Sequence, residues 1–268
     1  MTKKIVAVLM LVATVFGCSR PPYYATNKIY KSQAKNYAAA LKTAPLKDTV
    51  FGTINWVGTT NFGMRKPNFV IIHHTAQSSC EQTLKTFTTT QSQVSAHYVI
   101  CKDGTVHHML NDYLRAFHAG VSKWGNNTDI NSSSIGIEID NNGSEKFTDE
   151  QINNLLTLLA NLKKTYGIPA ANFIGHSDVA PGRKVDPNIY FPWKTLSQNG
   201  FGLWQDEALP QMVDSSFNYL QALRIIGYNI KDTSSAISSF KRHFMQDPTK
   251  KINEEDRKVL LNLYKKYL

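Results

Sequence analysis

Cysteine is scarce here, with 3 in 268 residues, and no two of them form a CxxC pair. This excludes zinc ribbons and fingers, whose thiolate ligands come in such pairs. Long apolar runs are missing too. The stretch at residues 5–16 falls short of the roughly 20 residues that a membrane-spanning helix needs. Internal repeats and low-complexity tracts are absent, which excludes solenoids and the disordered class. Acidic residues are in deficit, 20 against 30 Lys and Arg, giving a formal charge of +10. A basic balance suits anionic partners, but no nucleic-acid-binding motif is present, so nucleic acid is not expected. What remains is a chain of ordinary globular composition, long enough for one sizeable core and a small extra unit.

The N-terminus reads as a targeting segment. Lys3 and Lys4 precede the apolar residues 5–16, and Val15-Phe16-Gly17-Cys18 follows. This order resembles the lipobox of bacterial lipoproteins. The resemblance implies a signal peptide over residues 1–17, cleavage before Cys18 and lipidation of Cys18. The mature chain would then be tethered to a membrane and would not span it. No Asp follows Cys18, which in a Gram-negative cell resembles sorting to the periplasmic face of the outer membrane. Residues 18–51 read as tether and N-terminal arm, with a short helix near residues 32–41. Export permits a bridge between Cys80 and Cys101, but spacing leaves a bridge and two buried thiols equally open.

From residue 52 the pattern becomes that of an α/β domain with a mixed central sheet flanked by helices. Residues 69–72 are a short β-branched apolar run, the mark of a buried strand. Residues 95–101 read as a strand turned by Asp103-Gly104 into residues 105–110. Residues 134–139 alternate as a further strand, and residues 172–175 form a short one. Thr148 and Gln151 match a capping box. Ile152, Leu155, Leu156, Leu159, Leu162 and Tyr166 then follow at helical spacing to Gly167 and Pro169. The domain extends to about residue 205. Residues 211–268 carry three helical stretches and read as a small C-terminal three-helix domain.

Chemistry-bearing residues gather where strands end. His73 and His74 close one strand, and neighbours on a strand face opposite ways. One of them therefore faces a site, and spacing does not choose which. His176 leaves the strand at residues 172–175. Asp186 and Lys184 follow in a Pro-containing loop, two apart and so on one side of an extended segment. Two histidines and a carboxylate make a set that can hold a catalytic metal with one position left for water. Asp186-Pro187 reads equally well as a plain turn. Glu138 interrupts an apolar alternation, either as a surface group or as a base.

Taken together, residues 69–76, 95–100, 117–120, 134–138 and 175–187 resemble, in order, the type 2 N-acetylmuramoyl-L-alanine amidase family, whose fold is shared with the peptidoglycan recognition proteins. The lipobox and the C-terminal helices resemble its membrane-anchored subgroup. The resemblance implies one zinc ion per chain, held by His73, His176 and Asp186. Glu138 matches the general base and Lys184 the oxyanion-stabilising residue. The implied reaction is hydrolysis of the amide joining N-acetylmuramic acid to L-alanine in peptidoglycan or muropeptides. Ala96 stands where recognition-type members carry a catalytic Tyr, a role Glu138 is expected to take over. His118 matches a substrate-contacting position, and Trp124 is a stacking candidate. His74, His97, His107, His108 and His243 are expected to be structural, while Arg65 and Arg183 are either peptide-carboxylate anchors or surface charges. The C-terminal helices are similar to peptidoglycan-binding modules but lack their Asp-Gly loop, so plain packing is the rival expectation. Rival functions are a non-catalytic peptidoglycan receptor on the same fold and a zinc endopeptidase. A monomer is expected.

Overall fold

The computed structural model describes residues 20–42 and 59–268. The chain divides into two compact units, Met1–Asn61 and Phe62–Leu268. The expected signal peptide, Cys18 and the start of the catalytic domain near Gly52 lie outside the described residues. In the first unit, α1 (Tyr24–Ala40) starts well upstream of the expected residue 32. Residues 24–40 contain neither Pro nor Gly, so nothing stops the helix before it meets Pro22. No described helix is long and apolar enough to cross a membrane.

The second unit runs β1 (Phe69–His74), α2 (Cys80–Thr88), β2 (Tyr98–Ile100), β3 (Val106–His108), α3 (Ile130–Ser133), β4 (Ser134–Ile139), α4 (Asp149–Tyr166), β5 (Phe173–Gly175), α5 (His176–Val179), α6 (Trp193–Gln198), α7 (Tyr219–Ile226), α8 (Thr233–Met245) and α9 (Glu254–Tyr267). Its sheet has the order β3-β2-β4-β1-β5. Three of its four pairings are parallel, β2 with β4, β4 with β1 and β1 with β5, while β3 closes one edge antiparallel to β2. The mixed sheet and the hairpin at Asp103-Gly104 are as expected.

Alternation along the strands builds two cores. Val70, Ile72, Ile135, Ile137 and Ile139 face Leu155, Leu159 and Leu162 of α4. The Thr148–Gln151 capping box forms in both directions and starts that helix. On the opposite face, Ile71 and Ile174 join Ala222, Leu223, Ile237, Phe240, Leu260 and Leu263 of the C-terminal helices. Those helices form close to where the sequence places them, and they share this apolar cluster with the sheet.

Four of the described helices were not legible: the short α3, α5 and α6, and the longer α2. Residues 80–88 are rich in Thr, a weak helix former. Here Ser79 caps the first turn by accepting from the Gln82 N–H. Cys80 is disulfide-bonded to Cys101, which ties α2 to the end of β2.

Candidate metal and catalytic site

The parallel strands place their C-terminal ends together, where α/β sheets build sites. In register, His73 pairs with Glu138 and Ile72 with Gly175, so His176 emerges directly beside them. His73 shares its face with Ile71, and Glu138 shares that face with Gly136. His74 turns the other way, toward Gly143. This settles which histidine faces the site. Asp186 arrives on a loop that is pinned by the Ser177 N–H donating to the Asp186 carbonyl at 2.8 Å.

Three atoms converge. His73 Nδ1 lies 2.9 Å from His176 Nδ1 and 3.0 Å from Asp186 Oδ2, and His176 Nδ1 lies 2.9 Å from the same oxygen. The outer hydrogen bonds assign the protons. Ser134 Oγ donates to the Ile130 carbonyl at 2.6 Å, so it must accept from His118 Nε2 at 3.1 Å. His118 Nδ1 is then an acceptor, and the His73 Nε2–H donates to it at 3.1 Å. That leaves His73 Nδ1 as a bare lone pair. The nearer neighbour of His176 Nε2 is the Ala119 carbonyl at 3.0 Å. The Arg183 guanidinium also lies 3.3 Å from His176 Nε2; where that nitrogen instead donates to the nearer carbonyl, which only accepts, the second Nδ1 is bare as well.

Two lone pairs and a carboxylate about 3 Å apart repel one another unless a cation lies among them. The charge state of the imidazoles agrees with this. Burial and the neighbouring His176 push His73 down to about 4. Burial and the neighbouring His73 and His97 hold His118 well below its usual value. His73, His176 and Asp186 therefore fit a divalent metal ion. Both histidines also carry the outer hydrogen bonds that metal-ligating imidazoles characteristically make.

Beside this set, Glu138 Oε1 is 4.0 Å from His73 Nδ1, with 13 % of the Glu138 side chain exposed. Its Oε2 has no hydrogen-bond partner. Burial, reinforced by the charge of Asp186 and opposed by Lys184, raises Glu138 to about 8. The ammonium of the half-buried Lys184 takes no hydrogen-bond or ion-pair partner among the described residues, and its charge bears on both Glu138 and His73.

Other expected site residues are placed differently. His118 is 9 % exposed and uses both ring nitrogens behind His73, so it has none left for substrate. Trp124 is 7 % exposed and lies edge-on to Tyr228, a core position away from any open face. Arg65 is consumed by the Ser132 and Ser134 carbonyls, and Arg183 by the Ala119 and Val121 carbonyls beside His176. His97 accepts from the Gly136 N–H, and His108 stacks on Tyr98. A surface cavity of about 600 Å³ runs along α4 past Tyr190 and contains none of the site residues. Sequence reasoning missed Ser134 and its proton-assigning role; a lone Ser at a strand start carries no signal of it.

Comparison with known proteins agrees with the geometry. Residues 63–189 match the N-acetylmuramoyl-L-alanine amidase family. The amidase AmiD of Escherichia coli K12 is 31 % identical over 206 residues, covering 65 % of this chain and 74 % of that protein. The solved complex of AmiD with anhydro-N-acetylmuramic acid-L-Ala-D-gamma-Glu-L-Lys superposes with a TM-score of 0.69 at 28 % identity, covering 78 % of this chain and 93 % of that one. AmpDh3 of Pseudomonas aeruginosa in complex with anhydromuramic pentapeptide gives 0.70 at 28 % identity, over 84 % of this chain and 99 % of that one. The chain belongs to the N-acetylmuramoyl-L-alanine amidase family.

Proposed function

We propose that this protein is a zinc-dependent amidase that hydrolyses the bond between N-acetylmuramic acid and L-alanine in peptidoglycan or its muropeptides. The observation that carries this reading is the convergence of two imidazole Nδ1 atoms and the Asp186 carboxylate beside a carboxylate with one unpartnered oxygen. Two histidines and one carboxylate are a zinc-hydrolase donor set. When bound, zinc supplies a Lewis acid that lowers the pKa of water from 15.7 to about 7.

The chain's own residues do the rest. Glu138 stands at the edge of the donor set, enclosed enough to hold a proton and open enough for water to reach it. It takes the proton of the water whose oxygen attacks the lactyl carbonyl carbon. The Lys184 ammonium, free of competing partners, faces the negative charge that develops on the carbonyl oxygen. The C–N bond then breaks, and Glu138 returns its proton to the departing amine of L-alanine. A base that operates close to neutrality serves both transfers.

Relatives that bind anhydromuramoyl peptides make such fragments the first substrate to test. A lipid on Cys18 and residence at the periplasmic face of the outer membrane complete the proposal, supported by the lipobox-like run at residues 15–18. The experiment is mass spectrometry of sacculi and of anhydromuropeptides digested with and without a chelator. The expected products are free stem peptide and intact glycan, lost on chelation. Peptide-internal cuts would instead identify an endopeptidase.

A further inference from the structure

The C-terminal helices do more than cover the sheet. Asp178 sits two residues after the metal ligand His176, in α5, and is fully buried. Its carboxylate collects three donors. The Gly175 N–H donates to Oδ2 at 2.7 Å, the Tyr228 hydroxyl to Oδ1 at 2.7 Å, and His243 Nδ1 to Oδ2 at 2.7 Å. The first bond is local and closes the turn that presents His176. The other two come from the C-terminal helices, Tyr228 just after α7 and His243 on α8. Burial and the Asp178 charge hold the Tyr228 phenol well above its ordinary value, so it is a neutral donor.

These donors are themselves held. The His243 ring lies flat between Trp193, at 3.9 Å, and Phe244, at 4.1 Å. Its Nε2 has no partner, so its one hydrogen bond is spent on Asp178. The same helices meet the other loops around the metal face. A side chain on Gly182, in the loop leading to Lys184 and Asp186, would strike Ser235 of α8. The Gly125 N–H donates to the Gly227 carbonyl at 2.7 Å, and that loop carries Ala119, whose carbonyl lies 3.0 Å from His176 Nε2.

We infer that Tyr228 and His243 are positioning residues for the metal site, with the C-terminal helices acting as a buttress that holds Asp178, and through it His176, in ligating geometry. This rests on the zinc reading above. It assigns the helices a role in metal retention that is independent of whether they bind glycan.

The test is Zn²⁺ affinity of the full chain, measured by chelator competition well below the unfolding temperature. Tyr228→Phe removes one hydroxyl, and His243→Phe keeps an aromatic ring between Trp193 and Phe244. Loss of outer-shell support typically weakens metal binding 10- to 100-fold, so the double variant is expected to lose about tenfold. Leu263→Ala is the control, because it opens the α9 core without touching Asp178 and should bind Zn²⁺ as the parent does. The inference is overturned if the double variant binds within twofold of the parent, or if Leu263→Ala loses as much. Failure of the parent itself to bind Zn²⁺ sinks the zinc reading instead.

Discussion

His73 and Glu138 are directly paired across β1 and β4, and their side chains leave the same face with Nδ1 and Oε1 4.0 Å apart. The proposed metal ligand and proton acceptor are thus held by the backbone register of a buried parallel ladder. Sites built on strands are held more tightly than sites on loops. The pairing also separates the two roles: His73 turns its lone pair toward His176 and Asp186, while Glu138 keeps an oxygen unpartnered.

Replacing Glu138 by Gln should therefore separate binding from turnover. Gln keeps the volume and removes the proton-accepting oxygen. General-base loss typically costs roughly 10²- to 10⁴-fold in rate. Zinc content, read by atomic absorption, should stay at the parent level while stem-peptide release collapses. Near-normal release by Glu138→Gln, or by Glu138→Ala, would refute the base assignment.

The raised Glu138 pKa also makes a stability prediction for the metal-free protein. The unfolded carboxyl ionises near 4.5, whereas the folded one holds its proton to about 8. Between these values the folded state binds the extra proton, so its stability falls as pH rises through that window. A neutral Gln cannot contribute this slope. In chelated protein, Glu138→Gln should gain stability relative to the parent from pH 5 to pH 8, by on the order of a few kcal/mol. Parallel urea-unfolding curves for the two proteins at both pH values would contradict this.

Much of this was legible in the chain. β-branched apolar runs predicted β1 and β4, and the Thr148–Gln151 pattern predicted α4, because those signals are local. The choice between His73 and His74 was not local. Strand alternation left it open and the family resemblance pointed to His73; the face of β1 that carries Ile71, packed toward the C-terminal helices, agrees with that choice. The burial of His118 and Trp124 was not legible for the same reason: a polar or aromatic side chain in a loop has the same sequence signature whether it faces solvent or a neighbouring helix. α2 escaped because its Thr-rich turns are stabilised by the Ser79 cap and the Cys80–Cys101 bond, not by intrinsic preference.

Metal binding should register as folding free energy, because the donor atoms repel one another without a cation. A ligand present at 1,000 times its Kd stabilises by about 4.1 kcal/mol. Zn²⁺ added to chelated protein should raise the unfolding midpoint correspondingly. Asp186→Asn removes the only anionic donor of the three, so the shift should vanish. A zinc-dependent shift that survives in Asp186→Asn would place the ion elsewhere.

The proton relay behind His73 makes the last prediction. Ser134 fixes the His118 tautomer, and His118 fixes that of His73. Ser134→Ala deletes the acceptor, allowing the His118 proton to move to Nδ1, where it opposes the His73 Nε2–H. His73 must then shift its own proton onto the metal-facing nitrogen or lose a hydrogen bond. Gly136→Ala attacks the relay sterically, since a Cβ there would come within 2.4 Å of the His118 ring. Both variants should weaken Zn²⁺ binding by about 10- to 100-fold, the usual cost of losing an outer-shell partner. Nitrogen-15 shifts of the metal-free protein read the cause directly. The parent should show His73 protonated at Nε2, and Ser134→Ala a mixture of tautomers. A single unchanged tautomer with unaltered zinc affinity in Ser134→Ala would show that the relay does not control the ligand.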